Sequence, residues 1–168
     1  MDFKKYFQDL ALYHKWAYEK LNASITEISD SDYRKNCGLF FGSMHGTLNH
    51  LCVADTLWYN RFAHMPNSLN LEDELYTDRA ALIEALLKRA DLWIHFLSTH
   101  FPKDHPPKTL SYRNTKGLDI TVPYLQALAH VFNHGTHHRG QISAVVTQLG
   151  FKAPEMDLYY YLRESQQE

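Results

Sequence analysis

The stretch PYLQALAHVFNHGTHHRGQISAVVTQLG, residues 123–150, decides the fold. Proline opens it and glycine closes it, the end preferences of an α-helix, with some 26 residues between them. Ala127, Val131, Gly135, Ile142, Val145 and Leu149 fall on one stripe at about 100° per residue. His138 lies within that stripe and His134 borders it. Being four residues apart, they project from one side of the helix, where both can bind a single metal ion. His130 continues the series further round the helix, and His137 lies about 100° from His138, so both belong at the rim or surface.

Three more helices are expected upstream. Phe3, Phe7, Leu10, His14, Ala17, Leu21, Ile25 and Ile28 alternate three and four residues apart behind a capping Asp2, and the run SDSD at 29–32 breaks the pattern. Ser43 can cap a second helix carrying Leu51, Ala54, Leu57, Trp58 and Phe62, stopped by Met65 and Pro66. Thr77 can cap a third, with Leu82, Leu86, Ala90, Trp93 and Leu97 facing inward and Pro102 ending it. In TLSYRNTKGLDITV, residues 109–122, β-branched residues and tyrosine flank Asn114, Thr115, Lys116 and Gly117, which predicts a hairpin. The expected fold is all-α: a four-helix bundle in one domain, 1–168, with a short β-hairpin or crossover between the third and fourth helices. The segment APEMDLYYYLRE, residues 153–164, is expected to form a short helix over one end of the core.

Composition narrows the function. Seventeen Lys plus Arg against nineteen Asp plus Glu give a net charge of −2, leaving no basic excess for nucleic acid. No apolar run approaches the ~20 residues of a membrane span, and the N-terminal MDFKKYFQDL lacks the apolar core of a secretory signal. Cys37 and Cys52, with no CxxC spacing, suggest neither a disulfide framework nor a thiolate zinc site, so a soluble protein of the reducing cytoplasm is expected. The outlying count is histidine: eleven residues, of which four fall between positions 130 and 138.

HxxxH without a glutamate after the first histidine is not the protease motif HExxH, and two histidines at helical spacing also arise by chance. Several inward imidazoles together are nevertheless costly unless a metal or a polar network satisfies them. His50 on the second helix is the candidate third ligand, on a face with the small residues Gly46, Thr47 and Ala54; the competing reading is a satisfied core histidine with Gly46 as a packing contact.

GTLNHLCVADTLWYNRF (46–62), HVFNHGTHHRGQISAVVTQLG (130–150) and PEMDLYYYLR (154–163) together resemble the DinB family of damage-inducible metalloproteins over nearly the whole chain. The resemblance implies a four-helix bundle, often a homodimer, with one divalent metal held by three histidines. Matched motif by motif, these are His50, His134 and His138. It implies no DNA binding. The chain departs from the family pattern at His14 and Tyr18, where many relatives have asparagine, and at His137, where tyrosine is common.

Three histidines leave a fourth position open to water or substrate, as in catalytic metal sites. Such a neutral donor set suits Zn²⁺ or Ni²⁺ and permits Fe²⁺ or Mn²⁺. The resulting expectation is a metal-dependent hydrolase or thiol transferase acting on a small molecule, with a thiol as possible cosubstrate. The alternative is a non-catalytic metal-binding or assembly protein in which the histidines stabilise the bundle. Gln141 and His14 are the candidate general acid or base groups. Asp55 points away from His50, which favours a contact to another helix, and Arg139 reads as a structural ion pair.

Overall fold

The computed structural model describes residues 2–102 and 105–166. Six helices and one hairpin follow in the order α1 (Phe3–Ile25), α2 (Asp30–Arg34), α3 (Met44–Phe62), α4 (Arg79–Thr99), β1 (Thr109–Arg113), β2 (Asp119–Pro123), α5 (Tyr124–Gln148) and α6 (Leu158–Glu164). The four long helices, α1, α3, α4 and α5, form the expected bundle. α1 and α3 each pack against both α4 and α5. Helices α1 and α3 therefore face each other across the centre, as do α4 and α5. The connections from α1 to α3 and from α4 to α5 both cross a diagonal.

Local chemistry sets the helix ends. The Asp2 carboxylate accepts from Lys5 N at 3.1 Å, and the Ser43 hydroxyl accepts from Gly46 N at 3.0 Å, each relieving an unpaired amide of the first turn. α4 is capped by Asp78, whose side chain accepts from Ala81 N at 2.8 Å, one residue beyond the expected Thr77. Pro123 is the cap of α5 and Tyr124 its first residue, one position later than expected. Gly150 closes α5 with φ +82°, a conformation that glycine adopts without penalty.

Two expectations fail outside the bundle. Residues 29–32 do not merely break a helix: α1 already stops at Ile25, and Ser29 caps the short α2 by accepting from Asp32 N at 3.1 Å. The same side-chain oxygen that interrupts one helix initiates another. The C-terminal α6 has no buried residue and covers no end of the core. It lies along the outside of α1, where Trp16 Nε1 donates to Glu164 at 2.8 Å and Tyr161 packs on Tyr13.

The hairpin forms where the sequence predicts it, with Leu110 paired to Val122 and Tyr112 to Ile120. Asn114 Oδ1 accepts from Lys116 N and Leu118 N at 2.9 and 3.0 Å, and Gly117 supplies the positive φ of the turn. Leu110 anchors the hairpin in the core.

The core has two apolar ends. One is largely aliphatic, built on Leu21, Ile25, Leu48, Leu51, Leu82, Leu86, Ile142 and Val146. The other is aromatic, with Phe7, Phe62, Trp93, Phe96, Tyr124 and Phe132. Between them the bundle buries polar groups, including His14, His50, Asp55, His138 and Arg139. No described helix is long and apolar enough to cross a membrane.

Candidate metal centre

Helices α3 and α5 bring three imidazoles together. His50 comes from the second turn of α3, and His134 and His138 from consecutive turns of α5. The three residues each offer one ligand atom, and these atoms lie within 4.8 Å of one another. His134 Nε2 stands 3.2 Å from His50 Nε2 and 3.1 Å from His138 Nε2. Two imidazole nitrogens on one tetrahedral ion, each at about 2.0–2.1 Å, would be about 3.3 Å apart. The donor type and two of the three separations match what a divalent ion requires, so the group could hold one.

The outer nitrogens show which form the rings take. His50 Nδ1 is 3.2 Å from the carbonyl oxygen of Leu71, which can only accept, so Nδ1 carries the proton. His138 Nδ1 donates in the same way to Gln141 Oε1 at 2.8 Å. In both neutral rings the Nε2 lone pair faces the meeting point, as ligation needs. Burial holds the His50 pKa down to about 4 and that of His134 to about 3, with neighbouring imidazoles adding to both shifts. His138 is also lowered by burial, against the opposing effect of its hydrogen bond to Gln141. All three are therefore neutral near pH 7.

A tight turn before α3 covers one side. Gly38 and Gly42 have φ of +78° and +75°, and between them Phe41 stacks on His50 at a centroid distance of 3.7 Å and an interplanar angle of 15°. The same turn explains Gly46. A Cβ there would lie 2.1 Å from the Phe41 carbonyl oxygen, so this glycine admits the turn backbone; it is a packing contact and does not make room for a ligand. A cavity of about 460 Å³ borders His50, with Phe41, Asn49, Leu71 and Glu74 among its lining.

A second buried polar cluster joins α1 to the same two helices. His14 of α1 is 0% exposed, with Nε2 3.2 Å from Asp55 Oδ2 and Nδ1 3.0 Å from an Arg139 guanidinium nitrogen. Guanidinium only donates and carboxylate only accepts, so this ring carries its proton on Nε2 and accepts at Nδ1. Burial, the largest influence, lowers its pKa despite Asp55. A neutral imidazole therefore joins a buried cation to a buried anion across the bundle diagonal. Arg139 also donates to Thr136 Oγ1 at 3.3 Å and lies over the rings of Tyr13 and Tyr18.

Neither expected acid or base group faces the converging Nε2 atoms. Gln141 occupies the far nitrogen of His138, and both His14 nitrogens are engaged inside the core. Asp55 contacts α1, and Arg139 is paired through His14 without touching a carboxylate directly. His137 is exposed. His130 is exposed, as its place round the helix implies, with its ring on Trp58 at 5.1 Å and 5.5 Å from that of His134. Cys52 is buried and its thiol is pushed up to about 11, as suits a small apolar core residue; Cys37 is half-buried and free. Sequence reasoning missed the Leu71 carbonyl and the Phe41 ring. Both sit on irregular segments that carry no helical period.

Protein DinB of Bacillus subtilis (strain 168) is 26% identical over 157 residues, covering 89% of this chain and 90% of that protein. No solved structure gives a significant match. The model of the DinB family matches residues 1–168, and the chain belongs to the DinB family.

Proposed function

We propose that this protein is a metal-dependent enzyme in which His50, His134 and His138 hold one divalent ion, with Zn²⁺ or Ni²⁺ best suited and Fe²⁺ or Mn²⁺ compatible. The observation that carries this reading is the convergence of three Nε2 atoms whose rings are neutral and, at His50 and His138, fixed from behind by acceptors. A protein that needed these histidines only for packing would give each lone pair its own donor; here the acceptor nitrogens of His50 and His138 share the one Nε2 of His134. When bound, the ion supplies a Lewis acid that acidifies a water or a thiol. The substrate is a small molecule, and the reaction is hydrolysis or transfer to a thiol cosubstrate.

The chain's own groups have distinct parts in this reading. Gln141 and the Leu71 carbonyl keep the imidazoles in their ligating tautomer, and Phe41 shields one face of His50 from water. His14 acts at a distance by tying α1 to the two ligand-bearing helices. The family resemblance also suggests a cytoplasmic homodimer, which light scattering would test.

Elemental analysis of protein purified without an affinity tag should find close to one metal per chain. Sub-stoichiometric metal, or metal retained unchanged in His134→Ala and His138→Ala, would refute the site. A screen of the metal-loaded protein against electrophiles, with and without thiols, and against ester and amide substrates tests the chemistry, with His50→Ala as the blank. Full metal loading with no turnover above that blank would favour the non-catalytic alternative.

A further inference from the structure

The far end of α3 holds a cation without a hydrogen-bond acceptor. Arg61 lies eleven residues beyond His50, about 16 Å along the axis at 1.5 Å per residue. Its Cζ sits 4.5 Å from the Trp58 ring centroid and 4.3 Å from that of Tyr112, so two aromatic side chains hold the guanidinium in place. Among the described residues nothing accepts a hydrogen bond from this side chain, and its Nε is buried without a partner. The four terminal N–H donors are thus held with little freedom and without an acceptor from the protein, while the buried Nε carries an uncompensated desolvation cost.

A cleft of about 510 Å³ opens beside it, between the loop at 63–70 and the β1–β2 hairpin. Asn60, Asn67, Ser68, Ser111 and Asn114 give it neutral polar walls, and His64 and Arg113 add nitrogen groups. Among the described residues no aspartate or glutamate lines it. Arg113 is paired with Asp119 at 3.1 Å, which leaves Arg61 as the uncommitted charge.

We infer that this cleft is an anion-binding site, in which Arg61 donates to the carboxylate or phosphate group of a small molecule. A planar guanidinium held by rings is already arranged for the paired hydrogen bonds that such oxyanions accept. Asn60, Asn67 and Ser111 are engaged with protein partners, and the Ser68 hydroxyl and Asn114 amide are the neutral wall groups that can take remaining oxygens without repelling the charge. Three helical turns separate Arg61 from His50, so the inference does not rest on the metal reading.

The test is a titration of ¹⁵N-labelled protein with inorganic phosphate and, separately, with malonate, followed by backbone amide shifts. Saturable shifts are expected at Asn67, Ser68, Ser111 and Asn114, and the tighter of the two anions identifies the oxyanion class. Arg61→Gln should weaken binding by about tenfold or more, the worth of charge-assisted hydrogen bonds. Arg61→Lys should recover part of it. The titration is repeated in His134→Ala: shifts that persist there support the cleft, whereas their loss would mean that the anion binds at the histidine cluster and would overturn the inference. Absence of saturable shifts with either anion, or equal affinity in Arg61→Gln, would also overturn it. Should Arg61→Gln fail to fold, the shift map of the unsubstituted protein decides, and shifts confined to residues away from the cleft count against it.

Discussion

His14 and the His50, His134, His138 group occupy the same polar layer of the bundle and draw on the same two helices, yet their hydrogen bonding is opposite. Around His14 each ring nitrogen has a complementary partner, Asp55 on one side and Arg139 on the other. Around the triad the acceptor nitrogens of His50 and His138 both point at the single Nε2 of His134. A buried polar group whose partners are complete contributes to the fold, and one whose lone pairs are left to converge is built for something that is added later. The difference separates a structural histidine from ligating ones better than burial does, since His14, His50 and His138 are all buried.

The largest effect should come from the open cluster. Removing any one of its rings leaves two donors, and His134→Ala should abolish stoichiometric zinc in a chelator competition while changing urea stability of the metal-free protein little. The closed cluster should respond the other way. Asp55→Ala leaves Arg139 buried without its counter-charge and should cost about 3 kcal/mol in urea unfolding, with zinc content per folded chain retained. If Asp55→Ala loses metal as completely as His134→Ala does, the two clusters are not separable.

A gentler probe acts on the packing between them. A Cβ at Gly135 would stand 2.4 Å from His14 Cε1 and 2.8 Å from an Arg139 guanidinium nitrogen. Alanine ordinarily strengthens a helix over glycine by about 1 kcal/mol, but the ring has no room to retreat. Gly135→Ala should therefore destabilise by about 1–3 kcal/mol, a reversal that thermal unfolding would show. Gln141→Leu, which removes only the acceptor behind His138, should weaken zinc by about tenfold. Unchanged affinity in that variant would mean that the His138 tautomer is set by the metal alone.

A last probe is the pH dependence of the metal-free protein. His14, His50, His134 and His138 all have pKa values below the usual histidine value, His50 near 4 and His134 near 3. Below about pH 6.5 the unfolded chain binds protons that the folded one refuses. Stability should be full above that pH and fall as the solution is acidified toward 4. His134→Asn should flatten the slope by up to about one proton.

The sequence made the bundle legible because each long helix repeats its apolar residues at helical spacing and α5 carries proline and glycine at its ends. It made His134 and His138 legible through one turn of spacing, and His50 only by association with them. The run at 29–32 misled because serine and aspartate both stop and start helices, and which they do depends on the next turn. The C-terminal segment forms the expected short helix, but where it docks could not be read: it carries no buried residue and lies against α1. Leu71 and Phe41 could not be read at all: one acts through its backbone, and the other reaches His50 through a turn whose path depends on Gly38, Gly42 and Gly46.

The Leu71 carbonyl has a consequence for how this site can change. Every residue offers the same backbone oxygen, so no replacement of the exposed Leu71 side chain directly removes the acceptor that orients His50. Insertions and deletions in the loop after α3 would move it. The ligand geometry is therefore tolerant of substitutions there and sensitive to loop length, so divergence in this family would alter the site through gaps before it did so through point changes at that position.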